Sequence, residues 1–248
     1  MEATRLNKYL SAAGVCSRRE ADRWIEEGRV FVDGKPAEPG QKVMDTSEVT
    51  VDGRRIEKRQ EEVILAVYKP QGIVCTTAEH RGEKNIVDLV RYPERIYPVG
   101  RLDKASEGLI LMTNIGAITD QILRGSNYHE KEYQVRINRP VTLEFLQQMR
   151  SGVPILDTVT RPCQVKKTGP DSFRIILTQG LNRQIRRMCE ALGCRVVELK
   201  RLRVMNITLG DLKPGEYRKI EGPEKDELFA LLSGRRQEDK KQTLGYRQ

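Results

Sequence analysis

The stretch VGRLDKASEGLILMTN, residues 99–114, joins a short polar turn to an unbroken apolar run. The run from Leu109 to Met112 has the composition of a strand that is buried on both faces. Asp103 lies in the turn before this strand, two residues after Arg101. Its carboxylate can either accept hydrogen bonds from nearby backbone N–H groups and stabilise the turn, or serve as a functional group at the edge of the core. The turn alone leaves both interpretations open.

The rest of the large C-terminal part predicts an α+β fold. Strand-like runs cover residues 63–70, 108–113, 132–137, 163–167, 173–178 and 196–204. Helical periodicity covers residues 85–91, 117–125, 142–152, 182–192 and 224–233. Because the strands come in pairs and do not alternate strictly with helices, we expect a mixed, largely antiparallel central sheet flanked by helices.

A small domain is expected before this sheet, at residues 1–59. Two short helices are predicted there, and a capping box from Ser17 to Glu20 opens the second one. Two Asp-Gly pairs, at residues 33–34 and 52–53, then predict the turns of a small β-ribbon.

The chain after the small domain divides into three parts. The charged stretch 57–62 lacks apolar periodicity and is typical of a linker. We place the larger domain at residues 60–234. The polar, charged segment 235–248 is expected to be a disordered tail.

The charge balance indicates an anionic partner. The 248 residues include 44 Lys and Arg against 35 Asp and Glu, which gives a net charge of +9. An excess of this size suits RNA, DNA or an anionic membrane. No apolar run in the sequence reaches the roughly 18 residues that span a bilayer, and the N-terminus has no pattern of a secretory leader. We therefore expect a cytoplasmic protein without a membrane partner.

Several enzyme classes are poorly supported by the sequence. The five cysteines are scattered without a Cys-x-x-Cys pair, and there are only two histidines, so we expect reduced thiols and no metal site. There is no Gly-x-Gly-x-x-Gly turn after a strand, no phosphate-binding loop and no Gly-x-Ser-x-Gly elbow. An enzyme of this composition would work with carboxylates, arginines, lysines and tyrosines, and we expect no cofactor.

Two further segments of the larger domain offer candidate site residues. Arg183, Arg186 and Arg187 lie at the start of an amphipathic helix. A cation at this end of a helix destabilises it by about 0.3 kcal/mol or more through the helix dipole. A carboxylate or a phosphate should compensate them; the alternative is a basic surface on which Arg186 pairs with Glu190. Tyr133 opens a strand, either as a half-buried packing residue or as a platform on which a nucleobase stacks.

Basic residues also collect on the predicted N-terminal helix pair. They are Arg5, Lys8, Arg18, Arg19 and Arg23. Together with the start of the second helix they would suit an RNA phosphate. The alternative is a solvated helix pair in which these cations face Glu26 and Glu27.

The N-terminal segment resembles a known module. RLNKYLSAAGVCSRREADRWIEEGRVFVDGK, residues 5–35, is similar to the αL RNA-binding domain named after a small-subunit ribosomal protein, the S-four-like domain. The resemblance covers about residues 5–52 and implies an RNA partner without naming a reaction.

Four motifs of the larger domain resemble one enzyme family. VYKPQGIVCT, VGRLDKASEGLILMTN, HEKEYQV and LTQGLNRQIRRM follow one another as in the RNA pseudouridine synthases of the RsuA type. SGVPILDTVTRPCQVKK and LKRLRVMNITLG narrow the resemblance to the RluF-like synthases of large-subunit ribosomal RNA. Leu181, where many relatives have Arg or Lys, also favours this group.

The resemblance implies roles for particular residues. Asp103 corresponds to the catalytic aspartate, Arg186 to the arginine that pairs with it, and Tyr133 to the tyrosine that stacks on the target base. The residues expected to bind substrate are Arg101, Lys131, Arg183 and Lys69.

The implied reaction converts uridine to pseudouridine in large-subunit (23S) ribosomal RNA, with tRNA as a second candidate substrate, by a monomer that needs no cofactor. Two rivals stay open at this point. One is an RNA-binding or ribosome-assembly factor without activity; the other is an RNA methyltransferase, which the missing Gly-rich loop argues against.

Overall fold

A computed structural model gives the structure of the protein and describes residues 3–57, 61–77, 82–124, 126 and 128–234. The predicted disordered tail, 235–248, and part of the predicted linker lie outside the described residues. The chain forms two compact units. One comprises Met1–Val63, Tyr92–Ile96 and Asn114–Gly116, and the other comprises Ile64–Arg91, Tyr97–Thr113 and Ala117–Gln248. Two short internal segments, Tyr92–Ile96 and Asn114–Gly116, therefore belong to the N-terminal unit. The predicted domain boundary after residue 59 does not include them.

The first unit consists of a helix pair and short strands. Its elements are β1 (Thr4–Arg5), α1 (Leu6–Ala12), α2 (Arg18–Glu26), β2 (Val30–Val32), β3 (Lys35–Pro36), β4 (Lys42–Val43), β5 (Val49–Val51) and β6 (Arg54–Arg55). The predicted capping box is present, since the Ser17 hydroxyl accepts from the Glu20 N–H and the Glu20 carboxylate accepts from the Ser17 N–H. Strands β3-β2-β5-β6 form the predicted ribbon.

The second unit is built on one large sheet. Its strands are β7 (Ile64–Lys69), β8 (Tyr97–Pro98), β9 (Glu107–Thr113), β10 (Lys131–Ile137), β11 (Pro154–Ile155), β12 (Thr158–Val159), β13 (Gln164–Lys167), β14 (Ser172–Leu177), β15 (Val196–Val204), β16 (Ile207–Thr208) and β17 (Tyr217–Lys219). Its helices are α3 (Ile86–Val90), α4 (Gly116–Leu123), α5 (Leu143–Ser151), α6 (Gln184–Ala191) and α7 (Gly222–Leu232). The predicted α+β class is confirmed, and each predicted helix and strand of this part is present.

The strand order of the large sheet is β13-β14-β10-β15-β9-β7-β17, with β16 beside β15 and β8 beside β9. Every neighbouring pair is antiparallel except β15 and β9, which run parallel. The predicted mixed, largely antiparallel sheet is therefore correct. Strands β7 and β9 both have neighbours on either side, and every residue of β7 is buried, as the apolar composition of both runs predicts.

The parallel contact between β9 and β15 depends on a glycine. Gly108 lies opposite Arg201 and has a φ of +106°, a conformation that other residues rarely adopt. A Cβ at this position would lie 2.3 Å from the Arg201 carbonyl oxygen and 2.6 Å from its nitrogen. Because both atoms are backbone, they cannot move aside without separating the two strands. Gly108 thus fixes how closely β9, and the turn that precedes it, approaches β15.

We expect Gly108→Ala to lower the free energy of unfolding by about 3 kcal/mol or more, because the clash is added to the unfavourable φ. Gly210→Ala is the matched control: Gly210 has a φ of +56°, and a Cβ added there would meet no other atom within 4 Å. The control should cost only about 1 kcal/mol. Urea unfolding measures both, and equal losses in the two variants would contradict the role of close strand approach.

Candidate active site

A pocket opens at one end of the sheet of the second unit, where three groups of residues meet. One wall is the turn before β9, and the facing wall is the loop and first turn of α6. The floor comes from neighbouring strands. The lining residues are Arg101, Leu102, Asp103, Ser106, Tyr133, Leu177, Gln179, Gly180, Leu181, Arg183, Gln184, Ile185, Arg186 and Leu199. The pocket therefore combines the three segments that the sequence analysis singled out.

Asp103 faces two arginines across the pocket. Its Oδ2 lies 3.6 Å from Nε of Arg186 and 3.4 Å from Nη1 of Arg183. The Asp103 side chain is 33% exposed and that of Arg186 only 10%, whereas that of Arg183 is 44% exposed. Asp103 thus supplies the negative charge that the arginines at the start of α6 require. Arg186 does not take the alternative pairing with Glu190.

Arg186 is held on three sides. Its Nη2 donates to the Ser106 hydroxyl at 3.1 Å and to the Ala105 carbonyl at 3.3 Å, and its Nη1 donates to the Val196 carbonyl at 3.4 Å. Its Nε is buried without a hydrogen-bond partner among the described residues and points its charge at Asp103. The guanidinium therefore binds the turn that carries Asp103 as well as the carboxylate itself.

Lys69 supports the same turn from beneath. It is fully buried, and its Nζ donates to the carbonyl oxygens of Ser106 at 2.6 Å and Pro70 at 2.9 Å. Burial lowers the pKa of Lys69, while the nearby Cys75 and Asp103 act in the opposite direction. Lys69 is not among the residues that line the pocket, and the contacts that the structure shows for its Nζ are with the Ser106 and Pro70 carbonyl oxygens.

Tyr133 lies on the pocket floor beside Leu177 and Leu199. The register between β10 and β15 shifts between Glu132 and Tyr133, so that Tyr133 lies opposite Arg201. Such bulges redirect side chains and are common beside active sites. Tyr133 is partly buried and packs against the core cluster that includes Leu177 and Leu199. It is a packing residue that also lines the pocket.

The remaining predicted substrate residues differ in position. Arg101 lines the pocket and is exposed. Lys131 is not among the lining residues; its Nζ lies 3.4 Å from the His129 carbonyl oxygen. Burial, with a contribution from the Arg201 charge, lowers the pKa of Lys131 to about 8. Lys131 is therefore a partly buried cation behind the pocket in this structure.

Sequence reasoning missed two polar residues of the site. Ser106 is buried and joins Arg186 to Lys69, although it lies within the quoted stretch 99–114. Arg201 is also buried, and its Nε donates to the Leu109 carbonyl at 2.6 Å. A basic residue in a strand of mixed character gives no periodic signal of burial, which is why Arg201 was not found.

The basic residues of the first unit form a second group of predicted site residues. Arg5, Lys8, Arg18, Arg19 and Arg23 are all exposed or partly exposed. Arg23 lies 3.7 Å from both Glu20 and Glu27. The solvated alternative predicts the contact with Glu27 but not the one with Glu20. In the described part of the chain, no ion pair involves the other four. Ser17 and Glu20 occupy the start of α2, so an anion would meet the side chains of Arg18 and Arg19 there.

The described residues contain no helix that is both long and apolar enough to cross a membrane. Within the same ranges, no group of three or more His, Cys, Asp and Glu side chains is placed to hold a metal ion. All five cysteine thiols are free.

A carboxylate on a turn, opposed by a buried arginine and floored by a tyrosine, is the site that the motif resemblance implies for an RNA pseudouridine synthase. The family model for RNA pseudouridylate synthase matches residues 63–191, and the S4 domain model matches residues 4–45. The chain belongs to the RNA pseudouridylate synthase family and carries an N-terminal S4 domain.

Its relatives include the dual-specificity RNA pseudouridine synthase RluF of Salmonella typhi, with 52% identity over 241 residues, 96% of this chain and 83% of the relative. The RluF of Escherichia coli K12 is 52% identical over 233 residues, 93% of this chain and 80% of the relative. The ribosomal large subunit pseudouridine synthase B of Bacillus subtilis is 34% identical over 235 residues, 92% of this chain and 96% of the relative.

A solved structure has the same fold. The crystal structure of a pseudouridylate synthase superposes with a TM-score of 0.67, covering 92% of this chain and 99% of that chain at 24% identity. The predicted membership in the RluF-like group and the predicted enzyme class are confirmed.

Proposed function

We propose that this synthase isomerises uridine to pseudouridine in large-subunit (23S) ribosomal RNA and that Asp103 is its catalytic carboxylate. The observation that carries the proposal is the pairing of Asp103 with Arg186, 3.6 Å apart, at the wall of a pocket floored by Tyr133. A relative named for the ribosomal large subunit supports the choice of RNA. Since other relatives are named dual-specificity enzymes, we propose tRNA as the second substrate class.

The isomerisation breaks the bond between C1′ and N1 of uridine and forms a bond between C1′ and C5 of the same ring. The electron pair of the broken bond stays with the detached uracil. Asp103 can act by either of two routes: its carboxylate attacks C1′, or it removes a proton from the sugar as the base departs. The uracil then turns and C5 bonds to C1′. In the first route the ester bond between Asp103 and C1′ breaks at this point; in the second, Asp103 returns the proton to the sugar. C5 finally loses its proton and N1 gains one. Both routes use the Asp103 carboxylate as an anion, and the positively charged Nε of Arg186 lies 3.6 Å from its Oδ2.

The target base has to leave its stack to reach this carboxylate. Unstacking costs about 2 kcal/mol or more, so unpaired uridines are favoured as targets. We propose that Tyr133 receives the flipped uracil, since stacking of a base on an aromatic ring supplies about 1–3 kcal/mol. Arg101 is exposed at the pocket, where we propose that its planar guanidinium takes the place that the flipped base leaves in the RNA.

Arg183 is proposed to bind an RNA phosphate. It is the N-cap residue of α6, but its side chain makes no hydrogen bond to the first turn of the helix. Its backbone is left-handed, with φ 50° and ψ 34°. Its side chain is exposed but contacts the same Asp103 oxygen as Arg186. A sugar that approaches Asp103 would compete with Arg183, whereas Arg186 is held in place by Ser106 and Ala105. The exposed arginine is therefore the one free to move to the phosphate.

The exposed arginines of α2 are proposed to capture RNA by phosphate contacts that weaken steeply with salt. We also propose that the enzyme acts as a monomer. We propose a cytoplasmic location, because the proposed substrates are ribosomal RNA and tRNA.

Asp103→Asn is expected to keep the fold and RNA binding but to abolish pseudouridine formation, since the amide can neither attack C1′ nor accept the sugar proton. Pseudouridine-specific chemical mapping of deproteinised large-subunit RNA measures the product. Asp211→Asn makes the same chemical change on an exposed turn and should react like the wild type. Substantial product from the Asp103 variant would remove this residue from its proposed role.

The double variant Arg18→Glu with Arg19→Glu should weaken RNA binding about tenfold or more and lower the salt dependence by about two phosphate contacts. The single-turnover rate of bound RNA should stay close to that of the wild type. Arg54→Glu with Arg55→Glu is the control, because it makes the same charge change on the exposed strand β6. Equal weakening in both double variants at moderate salt would argue for net charge rather than for a specific contact.

A further inference from the structure

Tyr128 stands out among the exposed apolar side chains of the second unit. Its side chain is 57% exposed, although a tyrosine of this size is usually covered at least in part. Its φ of +52° is left-handed, which is uncommon for a bulky residue and is costly to maintain. Tyr128 thus combines an exposed side chain with an unfavourable backbone conformation.

Arg161 stacks on this ring. Its Cζ lies 4.2 Å from the ring centroid of Tyr128. A guanidinium in this position is attracted by the negative face of the ring. The exposed Tyr128 ring and the Arg161 guanidinium therefore lie against each other at the surface.

The Tyr128–Arg161 pair lies at the rim of the active-site pocket. The backbone N–H of Arg161 donates to Oε1 of Gln179 at 3.0 Å, and Gln179 lines the pocket. Tyr128 precedes β10 and Gln179 follows β14, and these strands are antiparallel, with Lys131 opposite Leu177. Both residues therefore lie at the end of the sheet where Tyr133 and Leu177 form the pocket floor.

We propose that Tyr128 and Arg161 form a stacking site for the unpaired nucleobase next to the target uridine in the RNA. This proposal rests on the proposed function. When the uridine turns out of its stack, its neighbour loses a stacking partner, and an exposed aromatic plane near the pocket can replace it. The Arg161 charge suits the adjoining phosphate as well as the face of the base. The site binds any base, because every base has a flat π-face.

The test combines variants with RNA that lacks single bases. A hairpin is made around the uridine that chemical mapping identifies, and the base on its 5′ or its 3′ side is replaced by an abasic site. Fluorescence anisotropy measures the Kd, and single-turnover product formation measures the rate. The test variants are Tyr128→Ala and Arg161→Gln. Two controls accompany them. Tyr128→Phe keeps the ring, and Tyr217→Ala removes a tyrosine that is 41% exposed on β17. Thermal unfolding verifies that each variant is folded.

We expect Tyr128→Ala to raise the Kd for the complete hairpin about 5- to 100-fold and Arg161→Gln to raise it less. Both controls should bind like the wild type. One of the two abasic hairpins should bind the wild type more weakly by a similar factor. Tyr128→Ala should then show no further loss on that hairpin, since the base that stacks on the ring is already missing.

Two results would contradict the stacking site. One is a Tyr128→Ala variant that binds the complete hairpin with wild-type affinity. The other is a loss of affinity from Tyr128→Ala that adds to the loss from each abasic site, with equal losses from both abasic sites. Failure of the proposed function looks different. In that case the wild type forms no pseudouridine in any large-subunit or tRNA substrate, whatever the variants do.

Discussion

The guanidinium of Arg186 is the constraint on which the site depends. It lies between Asp103, the Ser106 hydroxyl and two backbone carbonyls, so one side chain contacts both the carboxylate that we propose to be catalytic and the turn that carries it. The Asp103 carboxylate and the Arg186 guanidinium carry opposite charges, and a guanidinium that is largely buried needs acceptors. Each partner compensates the charge of the other. The loss of either would leave a charged group without compensation.

The strand order of the large sheet brings the Asp103 carboxylate and the Arg186 guanidinium together. Asp103 precedes β9 and Arg186 follows β14, and strands β15 and β10 lie between them in the sheet. The parallel contact of β9 with β15, which Gly108 permits, sets how far the Asp103 turn extends over the strands. Lys69 then holds the Ser106 carbonyl from the opposite side. The geometry of the site is thus a property of four strands and one helix start rather than of a single loop.

The fold was largely predictable, because long strands and amphipathic helices leave a periodic signal. Two-residue strands such as β8 and β11 left none, since their pairing depends on tertiary contacts. The pairing of Asp103 with Arg186 was implied by the family motifs, not by residue spacing, because 83 positions separate them. Lys69 was assigned to the substrate through the family resemblance, and its bonds to the Ser106 and Pro70 carbonyl oxygens could not be predicted from the apolar run that precedes it. Tyr128 left no signal because exposure and backbone strain in a loop have no sequence period.

The most direct measurement compares the single-turnover rate of pseudouridine formation in Arg186→Met and Arg183→Met at saturating enzyme, with folding verified by thermal unfolding. If Arg186 positions Asp103, the Arg186 variant should lose about 100-fold or more in rate, since small misplacements of a reacting group cost that much. The Arg183 variant should mainly raise the Kd for RNA. A folded Arg186→Met enzyme that reacts at the wild-type rate would contradict the account.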